Sequence, residues 1–257
     1  MISLLRIELK KILPYRTFWV ILGLQLLLMY VFFYARGHVQ INGQMAGAEL
    51  YQFPKIWTHI VYVSSYLNLI PCILLLILVT DEYTFRTLRQ QIIDGFSRAD
   101  VVKGKFSSGV LLSLVCVLFA LLLGLGFGII YGKAVDAGTM FSGIQALGYY
   151  LLQLLGYLAL AMFFGFLIKK SGLAILAFMA YTLIAEPLIH WKLPDAVDKF
   201  MPIKAMASLT PNPNSALVQM VLGETESLTP AQALIPVILY IALFCFLSYQ
   251  LLRQRDL

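Results

Sequence analysis

Six apolar stretches, each long enough to cross a bilayer as a helix, dominate this 257-residue sequence, at about residues 17–34, 56–80, 107–131, 144–168, 172–190 and 232–252. A helix needs about 20 mostly apolar residues to cross the hydrocarbon, where its backbone polar groups must be satisfied within the segment. A water-soluble domain would interleave charge with apolar residues at a helical or strand period. Here 60% of the chain is apolar, and the 12% that is charged retreats into clusters between the runs. The pattern predicts an all-α integral membrane fold of six transmembrane helices in one domain, residues 1–257.

Charge at the ends of the runs sets the expected orientation. With the N-terminus inside, the inner segments hold Arg6, Lys10, Lys11, Arg16, Arg86, Arg89, Arg98, Lys103, Lys105, Lys169, Lys170, Arg253 and Arg255, thirteen of nineteen basic residues. The outer segments hold Arg36, Lys55, Lys133, Lys192, Lys199 and Lys204. That bias predicts cytoplasmic N- and C-termini. It also accounts for the net charge of +6 as topology; no basic stripe interleaved with aromatics points to nucleic acid. Cys72, Cys116 and Cys245 lie inside apolar spans without metal-like spacing and are expected to pack as small hydrophobes. The first run is too long for a secretory signal and has no small-residue cleavage site behind it, so it is expected to stay in the mature protein.

Two flanking segments are not spans. Residues 1–14 place Ile2, Leu5, Leu9, Ile12 and Leu13 on one helical face and Ser3, Arg6 and Lys10 opposite, with Pro14 ending the helix. An interfacial amphipathic helix is expected, serving as an anchor or as a dock for a partner. Residues 191–231 carry Pro194, Pro202, Pro211, Pro213 and Pro230, which predicts short interfacial pieces. One of these, ALVQMVL, would be capped by Asn214 or Ser215 and closed by Gly223.

The densest inner charge lies in residues 81–106, DEYTFRTLRQQIIDGFSRADVVKGKF. Asp81 and Glu82 are expected to open a helix that Gly95 closes, and Ser97 with Asp100 forms a capping box for a second helix running into the third span. A helix, a turn and a helix form a rigid knob able to pass force between a soluble partner and the spans. The other reading is a plain positive-inside connector.

The segment resembles the first cytoplasmic loop of permease subunits of ATP-binding-cassette transporters, in the type-2 exporter (ABC-2) class. The matching positions are Glu82, Arg86-Thr87, Leu88, Ser97-Arg98 and Lys105; Arg86 stands where glycine is common and Gly95 where proline is frequent. The topology matches along the whole chain, and the specific part covers about 25 residues. The resemblance implies a permease of a bacterial cytoplasmic (inner) membrane, coupled to ABC ATPase subunits through Glu82, Arg86, Thr87, Arg89, Ser97, Arg98 and Lys105. It also implies a second permease copy or a sister permease, and a partly re-entrant hairpin after the fifth span.

The chain is not expected to be an enzyme. Gly104-Lys105 is followed by Phe106 and preceded by Ala99 where a phosphate loop needs glycine, so ATP and magnesium would be bound by the partner subunit and this chain needs no cofactor. His38, His59 and His190 lack metal spacing and no metal is expected. Gly124–Gly128, and Ala161 with Gly165, suit close helix packing. The polar residues at membrane depth, Gln25, Asn68, Gln153 and Glu186, are candidates either for hydrogen-bonding between helices or for a transport pathway, and Pro187 predicts a break in the fifth span. Two other functions remain open: a permease-like subunit of a non-transport envelope machine, and a nucleotide-independent channel or secondary transporter.

Overall fold

The structure, a computed structural model, describes residues 2–38, 40–41, 44–45, 48–132, 137–213 and 227–254. In chain order the helices are α1 (Ile2–Ile12), α2 (Arg16–Gly37), α3 (Ile56–Ser65), α4 (Leu69–Thr84), α5 (Thr87–Ile93), α6 (Arg98–Tyr131) and α7 (Ala137–Met140). They continue with α8 (Gln145–Ile168), α9 (Ser171–Ala180), α10 (Glu186–His190), α11 (Asp195–Asp198), α12 (Pro202–Ala207) and α13 (Pro230–Gln254). A two-residue antiparallel pairing joins Gln40–Ile41 to Gln44–Met45. Among the described residues, five helical segments are long and apolar enough to cross a bilayer, and six if the bent pair α3–α4 counts as one span. The protein is an all-α, multi-pass membrane protein. The expected ALVQMVL helix lies outside the described residues.

Helix α8 is the centre of the bundle. It packs against α13, α4, α6 and α9, and 56% of its apolar window is buried, against 22–33% in the other single-helix spans. Small residues permit these approaches, as expected. A Cβ on Gly165 would stand 2.9 Å from Val79, and one on Gly124 would stand 2.8 Å from the Trp57 ring. Cys72 and Cys116 are buried free thiols and Cys245 is free and partly buried.

Two spans differ from expectation. The second is not one straight helix: it bends by 46° between α3 and α4 and runs on to Thr84. Pro71 has no N–H to give the Leu67 carbonyl, which accepts instead from Ile70 N at 3.1 Å, while Leu67 N and Asn68 N donate three residues back, at 3.0 and 3.3 Å. The fifth span, where Pro187 predicts a break, stays continuous over Ser171–His190. A π-helical turn at Tyr181–Ala185 widens the helix, and Glu186 N donates to the Tyr181 carbonyl. That turn makes room for the Pro187 ring in the first turn of α10.

Candidate functional site

The strongest concentration of chemistry lies at the end of the bundle that gathers α1, α5 and the last turn of α13. Ser97 starts α6 with the expected capping box: its hydroxyl accepts from Asp100 N at 3.1 Å, and Asp100 Oδ2 accepts from Ser97 N at 3.2 Å. Two turns into α6, Lys105 is buried, 2% exposed. Its Nζ donates to Glu82 Oε1 at 2.5 Å and to Glu8 Oε2 at 2.7 Å. Lys11 Nζ reaches the same two carboxylates, Glu82 at 2.8 Å and Glu8 at 3.4 Å. Thr87 Oγ1 and Gln91 Nε2 donate to the other Glu82 oxygen, Gln91 at 2.9 Å, and Ser108 Oγ to Glu8 at 3.4 Å. Two carboxylates face two ammonium groups, so the network is neutral and four helices meet in it.

Asp81 and Glu82 do not open a helix as expected; they lie in the closing turn of α4. The chain reverses at Arg86, which adopts a left-handed φ of 56°, and α5 begins at Thr87. This conformation favours glycine, the residue common at that place in the resembled loops. A carboxylate at a helix C-terminus opposes the helix dipole, which makes the Lys105 and Lys11 charges around Glu82 necessary. Gly95, at φ 95°, closes α5 as expected. A cavity of about 240 Å³ opens beside the network between α1 and α4, with Tyr15, Asp81 and Phe85 in its wall.

The other expected coupling residues divide. Arg98 Nη1 donates to the Leu252 and Arg253 carbonyls, at 2.6 and 2.5 Å, and so ties the start of α6 to the end of α13, where a cation suits the dipole. Arg86 and Arg89 are exposed, and the apolar Phe85 and Ile93 stand exposed with them on the knob.

The chain belongs to the DUF2705 family. That family's model, a protein of unknown function, matches residues 18–257. No curated protein matches the chain. Glu82, Thr87, Gln91 and Lys105 lie inside the DUF2705 match, whereas Glu8 and Lys11 precede it.

Elsewhere in this DUF2705 chain the polar residues expected at membrane depth do not form one site. Gln153 Oε1 accepts from Thr210 Oγ1 at 3.0 Å and is packing glue. Gln25 and Asn68 are 1% and 2% exposed, yet among the described residues neither the oxygen nor the nitrogen of either carboxamide has a hydrogen-bond partner. Among the described residues, hydrogen-bonding glue is seen for Gln153 and not for these two. Asn68 sits at the α3–α4 break, and the buried Tyr150 hydroxyl lies in the neighbourhood of Ser64, Cys72 and Cys116.

At the far end, Glu186 is fully buried and does the work of a helix cap. Its Oε1 accepts from Ile203 N at 2.5 Å and from Lys204 N at 3.3 Å, the free amides at the start of α12. Helix α12 then reaches into the bundle: Met206 packs against Gly156, about 16 Å along the axis from the start of α8. Asp198 joins His190 to Lys204. Its burial works against the charge, but hydrogen bonds from Lys204 and His190 hold the carboxyl below the ordinary aspartate range. No group of three metal-ligating side chains occurs among the described residues.

Glu8, Lys11, Gln91 and Ser108 were missed by sequence reasoning. Glu8 had a signal: it lies one helical turn from Ile12, inside the apolar stripe of α1, where a charge needs a partner. Gln91 and Ser108 had none.

Proposed function

We propose that this chain is the membrane-spanning permease subunit of an ATP-driven exporter of the type-2 ATP-binding-cassette class. One observation carries the reading: the knob at residues 81–106 is locked to two other parts of the bundle at once, α1 and α13, while its own Lys105 lies on the helix that continues into the third span. Glu82 and Lys105 hold it to α1, Lys105 belongs to α6 itself, and Arg98 fastens it to α13. Movement imposed on α5 by a partner would therefore displace α4, α1, α6 and α13 together, as coupling to alternating access requires. Phe85 and Ile93, flanked by Arg86 and Arg89, form the docking face for the ATPase subunits, which bind ATP and magnesium. The reading places both termini in the cytoplasm and the protein in a bacterial inner membrane, paired with a second copy or a sister permease. The reach of α12 toward Gly156 suits the partly re-entrant hairpin that this class implies.

The test is purification of the tagged full chain from its native membrane, without crosslinking. An ATPase subunit should co-purify, and Ile93→Asp should abolish its recovery while membrane insertion is retained. Reproducible absence of any ATPase would overturn the proposal.

A second reading, a nucleotide-independent channel or secondary transporter, is favoured by the mid-span break with its unpartnered Asn68. Flux through proteoliposomes containing only this chain, without nucleotide, would support it over the first.

A further inference from the structure

The last turns of α2 and the facing turns of α3 leave a groove of about 490 Å³, lined by Phe32, Ala35, Arg36, Val63 and Tyr66. Phe32, Ala35 and Arg36 share a helical face by their spacing of three and four residues, and Val63 on α3 and Tyr66 just past its end are likewise three residues apart. Phe32 and Tyr66 are 51% and 66% exposed, so the groove opens to the surroundings of the bundle. The Arg36 guanidinium lies 5.1 Å from the centroid of the Tyr62 ring, and the Tyr62 and Tyr66 hydroxyls are hydrogen-bonded to each other beside it.

Arg36 has no carboxylate within ion-pairing distance among the described residues. Lys55 adds to the positive side of the balance around it. A guanidinium resting on an aromatic face, next to two phenolic hydroxyls and with no anion beside it among the described residues, suits a phosphate. Its position decides which phosphate. Arg36 ends a 22-residue apolar helix, the level at which headgroups meet side chains, and the rest of the lining is an apolar wall with one tyrosine. A free inorganic phosphate would leave that wall uncovered, whereas an acyl chain would cover it. The volume is that of an ordinary ligand pocket.

We propose that this groove binds one phospholipid, with its phosphate on Arg36 and one acyl chain along Phe32, Ala35 and Val63. The site is independent of the transport reading, since it involves neither the knob nor the ion network.

Native mass spectrometry of the full-length protein in a mild non-ionic detergent tests this with three probes: phosphatidylglycerol, a diacylglycerol with the same chains, and inorganic phosphate. The wild type should retain one phosphatidylglycerol and roughly tenfold less diacylglycerol, the difference expected for one charge-assisted contact. Arg36→Gln should lower phosphatidylglycerol retention to the diacylglycerol level, and Arg36→Lys should restore part of it. Ala35→Trp, which fills the groove from an exposed position and leaves the guanidinium in place, should reduce both lipids. Equal retention of the two lipids, or unchanged retention in Arg36→Gln, would overturn the proposal. So would inorganic phosphate binding as tightly as the lipid, or a shift in oligomeric mass without any change in lipid, which would mean that a second copy covers the groove.

Discussion

Two polar regions of this protein reach into its buried interior and are opposite in kind. At the α1–α4–α6 junction, full charges are placed in the interior and each is matched: Glu8 and Glu82 against Lys105 and Lys11, with Thr87, Gln91 and Ser108 taking up the remaining oxygens. Elsewhere, neutral amides that cost far less to bury are left unmatched among the described residues: Asn68 at the α3–α4 break and Gln25 within α2 hold four polar atoms without partners. A saturated network holds helices in one arrangement. An unsaturated one carries a standing cost of about 1–3 kcal/mol for each such group, and any polar species that reaches it relieves that cost. One region is therefore held in one arrangement, and the other keeps unmatched polar atoms among the described residues.

The contrast breaks most sharply at Lys105. Lys105→Met leaves two buried carboxylates sharing only the half-exposed Lys11, and the expected loss is about 3–5 kcal/mol, read as a fall in the melting temperature of the detergent-solubilised protein. Adding Glu82→Gln should recover part of it; a single variant as stable as wild type would show that the network does not hold the knob. Asn68→Leu should move the other way, raising stability by about 1–3 kcal/mol because it removes an unmatched amide, while any polar flux through the bundle falls. A clear loss of stability there would mean that Asn68 is partnered, and the two regions would be alike.

Glu186 stands between the two cases, a carboxylate buried at the far end with a structural duty. Glu186→Ala uncaps α12 and should cost about 1 kcal/mol, seen as faster amide exchange at Ile203 and Lys204, whereas Glu186→Gln keeps an acceptor and should change little. The smallest effect concerns Asp198. Its carboxyl lies below the ordinary value of about 3.9, so the stability it adds is present above that value and is lost as pH falls through its lower folded one. The difference in melting temperature between wild type and Asp198→Asn should persist at pH 5 and shrink below about pH 4. A difference that vanishes between pH 7 and 5 would remove Asp198 from this role.

Much of the frame was legible in the residues. Apolar run length located the spans to within a few residues, because hydrocarbon thickness leaves little freedom. Ser97–Asp100 and Gly95 marked real helix ends, because caps are satisfied locally. Pro187 misled for a local reason too: a π turn absorbs its missing donor, while Pro71, which drew no attention, accompanies the real bend. The pairing of Gln153 with Thr210, 57 positions apart, could not be read from spacing.

The sequence by itself determined that this is a helical membrane protein, marked helix ends at Gly95 and at Ser97–Asp100, and identified residues 81–106 as a helix-turn-helix knob. Hydropathy and capping act over one or two turns of chain, and such signals are complete within the segment that carries them. Only the tertiary structure decided that Glu8 completes the charge balance of Lys105, that Arg98 holds the end of α13, and that Asn68 is left without a partner among the described residues. Those facts rest on which helix faces meet across the bundle, and burial makes each meeting either satisfied or costly only once the helices have packed.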